Sequence, residues 1–172
     1  LTRLSDSATL AATATSFDFP LDTNTYASTG SDFLSITDFC KLGHQEFCKK
    51  YGVSWHDGED WNLKSGGNDL DHPVYAVANG VVVTSGYFGT SGCWGNVVLI
   101  EHTAPPGSSF RLPDGRTVSK VWSNYIHLNS RAVSAGQQVN KGDFIGRIGT
   151  GGCWSPHLHW EVRYVSVSAT YN

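Results

Sequence analysis

His157, His159 and Glu161 occupy alternate positions in the run His157-Leu158-His159-Trp160-Glu161-Val162-Arg163-Tyr164. Side chains alternate across an extended strand. His157, His159, Glu161 and Arg163 therefore share one face, and Leu158, Trp160, Val162 and Tyr164 share the other, core-like face. The two imidazoles then point the same way, roughly 6–7 Å apart along the strand. One ring can bind a metal ion while the other handles a proton, or both can bind. By itself a His-x-His pair more often describes two solvated surface histidines, because short motifs of this kind are loose.

A second segment, His56-Asp57-Gly58-Glu59-Asp60, offers an imidazole and a carboxylate, which is a zinc-type donor pair. The four-residue spacing would stack His56 and Asp60 on a helix. Trp55 before them, Gly58 between them and the polar stretch 62–68 after them argue against a helix. A curved strand or turn can still bring both side chains to one ion. A third element, Asn124-Tyr125-Ile126-His127-Leu128, places His127 at the end of a strand. Alone it would read as a structural histidine beside a turn. Together the segments supply more than their parts: a His and an Asp from one place, a His pair from a distant strand, and another His from between them.

These residues resemble the lysostaphin-like (LytM-type) zinc metallopeptidases, whose signatures are a His-x-Gly-x-Asp segment and a terminal His-x-His. The resemblance runs from about Trp55 to Arg163. Within it, the stretch 73–82 looks like that family's first hairpin, Tyr125-Ile126-His127-Leu128 like its Tyr-x-His-Leu strand, and Val139 to Gly149 like its glycine-marked turn. The resemblance implies that His56, Asp60 and His159 hold one Zn2+, and that His157 and His127 are catalytic histidines outside the metal shell. Three protein ligands and an open position are the layout of a catalytic zinc site rather than a structural one. His44, His72 and His102 match no catalytic position, and His102 reads as structural.

The implied activity is that of a zinc metalloendopeptidase cutting peptide bonds of bacterial peptidoglycan, in stem peptides or cross-bridges. Two alternatives remain: a catalytically silent relative that regulates a cell-wall amidase, and a zinc peptidase with a non-cell-wall protein substrate. All five expected site residues are present, which disfavours the silent relative. Substrate identity rests on analogy, because fold does not dictate function. Three departures from the family pattern bear on specificity: a long link from Trp61 to His72, an excursion from Thr103 to Lys120, and a first fifty residues without a counterpart.

Trp61, Trp94 and Trp154 each lie in or near a glycine-rich loop. Indoles make flat walls for a peptide or sugar, although burial is the ordinary fate of Trp. Trp154, three residues before His157, has the strongest claim to the groove. Asp69 and Asp71 lack calcium-loop spacing and read as a solvated acidic loop.

The elements that would position these groups are strands. Val74 to Ala78 and Val81 to Ser85 flank Asn79-Gly80, which reads as a tight hairpin. Asn96 to His102 is an apolar β-branched run. Phe110 to Leu112 and Thr117 to Ile126 flank Pro113-Asp114-Gly115, and Gln138-Val139 and Phe144 to Ile148 flank Asn140-Lys141-Gly142, both turn signals. His157 to Val167 is a long alternating strand. Short connections favour antiparallel neighbours. The expected fold is mainly β, a single-domain open barrel or sandwich of antiparallel strands. Residues 51–172 would form the catalytic domain. Residues 1–50 would be an arm that packs on it, ordered near Phe17 to Leu21, with a strand around Phe33 to Phe39 and a helical turn over Gln45 to Lys50.

A chain of 172 residues suits one domain, and 40% hydrophobic residues suffice for a core. A net charge of −3 gives no electrostatic case for nucleic acid or an anionic membrane. No run approaches the ~18 apolar residues of a membrane span. A chain that begins at Leu1 and lacks Met reads as mature or trimmed. The expected partners are peptidoglycan peptides, met by a monomer. Four cysteines in a small domain suit an oxidising, secreted or periplasmic location, and none of their spacings is the C-x-x-C of a zinc ribbon. Four cysteines allow three pairings. Cys93 and Cys153 are both flanked by glycine and followed by Trp, while Cys40 and Cys48 lie close in sequence. The expected bridges are Cys93–Cys153 and Cys40–Cys48.

Overall fold

The structure is a computed structural model, and it describes residues 13–28, 58–64, 68–89 and 93–164. Eleven strands account for its regular structure: β1 (Tyr26–Ser28), β2 (Glu59–Leu63), β3 (Pro73–Tyr75), β4 (Gly80–Tyr87), β5 (Asn96–Thr103), β6 (Phe110–Arg111), β7 (Thr117–Val118), β8 (Lys120–Arg131), β9 (Gln138–Val139), β10 (Phe144–Ile148) and β11 (Leu158–Arg163). Nine of them form one antiparallel sheet in the order β1-β2-β11-β8-β5-β4-β9, with β10 pairing to both β3 and β8. The fold is mainly antiparallel β, as expected. β6 and β7 form a separate hairpin around the left-handed Gly115.

The middle of the sheet is covered on both faces. In β8, residues from Val121 through Leu128 are buried without alternation, and Val97 to Ile100 of β5 are likewise enclosed. The core gathers Val74, Val82, Val98, Ile100, Tyr125, Leu128, Ile145, Ile148 and Leu158. The hydroxyl of Tyr125 accepts the Val77 amide at 3.0 Å and lies 3.1 Å from Ser123 Oγ. Ser123 Oγ in turn lies 2.7 Å from His102 Nε2, and the other nitrogen of His102 bonds the Asn79 carbonyl at 2.8 Å. His102 is thus part of a satisfied polar chain inside the sheet.

The hairpin expected at Asn79-Gly80 does not form. β3 pairs with β10, and β4 pairs with β5 and β9. The dipeptide has other tasks. Asn79 Oδ1 accepts the Lys141 amide at 2.9 Å, and a Cβ at position 80 would stand 2.5 Å from the Glu101 carbonyl. Gly80 is there for close approach to β5 rather than for a left-handed turn. Val162 and Tyr164, expected in the core, are 48% and 47% exposed, because β11 outruns the core beyond Trp160.

The segment 13–28 runs across the sheet. Ala14 N donates to Thr103 O at 2.9 Å, Asp18 N to Val77 O at 2.7 Å, and Tyr75 N to Pro20 O at 3.0 Å. Ala14 and Leu21 are buried, while Phe17 and Phe19 are exposed. The segment ends as β1 along β2, with Tyr26 opposite Leu63 and Ser28 opposite Trp61. The strand expected near Phe33 and the helical turn near Gln45 lie outside the described residues.

Candidate active site

β2 and β11 place Asp60 directly opposite His159. Directly opposed residues of an antiparallel pair project to the same face, and here they meet: Asp60 Oδ1 is 3.1 Å from His159 Nδ1. His157 stands just before β11 on the same side, its Nε2 at 3.5 Å from the same carboxylate oxygen. The other nitrogen of His157, Nδ1, bonds the Ser155 carbonyl at 2.8 Å. Donation of that N–H leaves Nε2 as the nitrogen with a lone pair facing the site.

His127 reaches the cluster by a break in β8. The register between β5 and β8 shifts between Asn96↔Leu128 and Val98↔Tyr125, which places one extra residue on β8. His127 is at that bulge, in the left-handed region at φ 64°. In an unbroken strand it would share the core face with Tyr125, because side chains two apart lie on one face. A bulge re-aims a side chain. The His127 ring lies 4.8 Å from that of His157 and 5.8 Å from that of His159. Its amide donates to Trp94 O at 3.0 Å, and its Nδ1 is buried without a hydrogen-bond partner among the described residues.

Two glycines are required by this packing. A Cβ on Gly58 would stand 2.6 Å from both His159 Nε2 and the Trp160 carbonyl. A Cβ on Gly151, which is also left-handed, would stand 1.9 Å from the Cys93 carbonyl and 2.6 Å from His127 Nδ1. The loop of Gly151 is tied to the loop of Cys93 by the disulfide Cys93–Cys153, which spans 60 residues. Cys40 and Cys48 lie outside the described residues, as do His44 and the expected ligand His56.

The electrostatics follow from these neighbours. Burial pushes the pKa of His159 down, but Asp60 and Glu161 on either side of the ring outweigh it and raise it to about 10 in the ion-free protein. Burial, reinforced by His157 and His159, holds His127 well below the ordinary histidine value. Burial pushes Glu161 up, yet His159 and Arg163 more than offset this and keep its carboxyl below the usual range. Asp69 is buried, not solvated as expected. Burial raises its pKa, and it accepts the Leu63 amide at 3.3 Å on each oxygen. Asp71 accepts Asn129 Nδ2 at 2.6 Å.

The tryptophans divide. Trp61 is a core residue rather than a groove wall: it is enclosed by Trp160 and Phe19, and its Nε1 donates to Glu59 Oε2 at 3.0 Å. Trp94 and Trp154 are half-buried on the two loops joined by the disulfide. Glu161, Gly58 and Gly151 touch the site residues, and Asn124 bonds Glu161, without having been assigned a role from sequence. For Glu161 the signal was its place two residues after His159 on the same face.

No cluster of three or more His, Cys, Asp or Glu side chains is poised around a metal among the described residues. The donor chemistry nevertheless suits a zinc ion. A carboxylate oxygen and an imidazole nitrogen converge to 3.1 Å with a second imidazole beside them, and His56 lies close in sequence to Asp60. Among the described residues no helix is long and apolar enough to cross a membrane.

Residues 54–170 match the family model described as peptidase family M23. Over 111 residues the chain is 32% identical to the peptidoglycan DD-endopeptidase ShyA of Vibrio cholerae, a match covering 64% of this chain and 20% of that protein. The chain therefore spans about a fifth of the length of this relative. Among solved structures, a zinc-containing peptidase from Vibrio cholerae superposes with a TM-score of 0.53 at 22% identity, covering 87% of this chain and 37% of the other. The SpoIIQ–SpoIIIAH pore-forming complex superposes with a TM-score of 0.55 at 21% identity, covering 89% and 84%. These two likenesses show the fold. The family match spans the segments that bring Asp60, His127, His157 and His159 together, and on that ground the chain belongs to peptidase family M23.

Proposed function

We propose that this chain is a zinc-dependent endopeptidase that hydrolyses peptide bonds of bacterial peptidoglycan. The observation that carries the reading is the cross-strand contact of Asp60 with His159, flanked by two further histidines. His56, Asp60 and His159 would hold the ion. A zinc ion held there would supply Lewis-acid chemistry, bringing the pKa of a water from about 15.7 towards about 7 and drawing charge from a peptide carbonyl. His157 turns Nε2 to the site with its Nδ1 anchored on Ser155, which suits a base that takes the proton of the attacking water. His127, held neutral by burial, is suited to hydrogen-bond the developing oxyanion and to pass a proton to the leaving amine.

Residues 51–172 act as the catalytic domain in this reading, and residues 1–50 as an arm packed on it. The contacts of residues 13–28 along the sheet support the second part. A disulfide between Cys93 and Cys153 supports action in an oxidising compartment, secreted or within the cell envelope. Trp94 and Trp154 would flank the bound peptide. The experiment is digestion of purified sacculi with and without a chelator, followed by mass spectrometry of the released muropeptides. Chelator-sensitive release of stem-peptide or cross-bridge fragments is expected. Intact sacculi in the presence of zinc-loaded protein would overturn the reading.

A further inference from the structure

Glu161 is 3% exposed and lies on the strand face of His159, two residues further along β11. It pairs across the sheet with Asn124. Its Oε1 is 3.4 Å from His159 Nε2 and accepts Asn124 Nδ2 at 3.1 Å and Arg163 Nη2 at 2.8 Å. Its Oε2 accepts Arg163 Nε. A buried carboxylate is costly unless paired and hydrogen-bonded. Sheet stability alone does not call for one, since apolar residues of similar volume often serve as well or better. The direction of the contacts is the informative part. The His159 ring is held between two carboxylates, Asp60 at Nδ1 and Glu161 at Nε2.

We propose that Glu161 is a positioning residue for the metal centre. With the ion bound, its Oε1, 3.4 Å from His159 Nε2 in the ion-free structure, would close to receive the Nε2–H, so that Nδ1 carries no proton and turns its lone pair towards the metal side of Asp60. Asn124 and Arg163 keep the carboxylate in place, and the missing side chain of Gly58 leaves room for this edge of the ring. An imidazole ligand has two nitrogens, and the hydrogen bond at one sets which is free to bind. The assignment rests on the reading of His159 as a zinc ligand.

The test is zinc affinity of the full chain, measured by competition with a chromogenic chelator, for wild type and Glu161→Gln. The substitution keeps the shape and removes the charge. Loss of such an outer partner typically weakens metal binding 10–100-fold, and a loss in that range is expected. A second readout is the imidazole N–H proton resonance of zinc-bound His159, seen by 15N-histidine labelling. A strong bond to carboxylate places it far downfield, and Glu161→Gln should move it upfield with Nδ1 still the bound nitrogen. Should Glu161→Gln fail to fold, Asn124→Ser removes one anchor of Oε1 and should weaken zinc several-fold. Affinity within twofold of wild type in the folded variant, or an unmoved resonance, overturns the proposal. A wild-type chain that binds no zinc overturns the metal reading instead, so the two failures are distinct.

Discussion

The ring of His127 meets the ring of His157 edge to face, with 4.8 Å between centroids and 65° between planes. Burial, reinforced by the neighbouring imidazoles of His157 and His159, keeps His127 neutral. The pair can therefore divide the work, one ring accepting a proton while the other offers a hydrogen bond. We expect His157→Ala to retain zinc and to lose about 10²–10⁴-fold in turnover, the usual scale of general acid–base catalysis. His159→Ala should lose the metal. Zinc content by elemental analysis, read beside turnover, checks both, and a His157→Ala protein without zinc would reverse the assignment within the pair.

Gly151→Ala should damage the site without touching a ligand. The new Cβ would stand 1.9 Å from the Cys93 carbonyl and 2.6 Å from His127 Nδ1, at a left-handed φ of 57°. Overpacking typically costs about 1–3 kcal/mol. Lower stability and a fall in kcat with zinc retained are the expected results, read from urea unfolding and steady-state kinetics. Unchanged kcat would show that the Gly151 loop does not hold His127.

Removal of the Cys93–Cys153 bridge, as the double Cys→Ala variant, should lower stability by about 4 kcal/mol by the loop-entropy model. The bridge spans 60 residues and joins the loops that carry Trp94 and Trp154. KM should rise if those loops frame the substrate. Thermal unfolding and kinetics on one preparation separate the two effects. Equal KM in both proteins would remove the indoles from the binding role.

His102 supplies a pH prediction away from the metal. It is fully buried, and burial depresses its pKa below the ordinary value, against smaller opposing effects of the Asn79 carbonyl and Glu101. The unfolded chain takes up a proton near pH ~6.5, whereas folded His102 takes one up only at lower pH. Below that pH the unfolded state binds more protons, so stability falls as pH falls. His127 acts in the same direction. His102→Gln should therefore flatten only part of the decline between about pH 7 and about pH 5. Urea midpoints across that range test it, and parallel curves would contradict it.

The strands around the site were legible where hydrophobic runs were long. Asn96 to His102, Phe144 to Ile148 and the His157 segment all correspond to β5, β10 and β11. The segment of β2 stayed open between a curved strand and a turn, because Glu59, Asp60 and Asn62 give it no apolar pattern and its stability comes from pairing on both sides. The bulge at His127 was equally hidden. It depends on one extra residue between two register points, and histidine is no glycine to announce a left-handed turn. Asn79-Gly80 misled because the same dipeptide that makes a hairpin also suits a polar side chain that bonds Lys141 and a backbone that touches β5.

β1 has a consequence for the protein as an object in solution. It covers the outer side of β2, the strand that carries Asp60. Without it, a row of backbone donors and acceptors along Trp61 to Leu63 would be open to another chain, and an uncovered strand of this kind is a template for strand addition. A chain cut back past Ser28 would thus tend to associate with copies of itself through the very strand that holds the carboxylate. Its first symptom would be aggregation with the catalytic residues all still present.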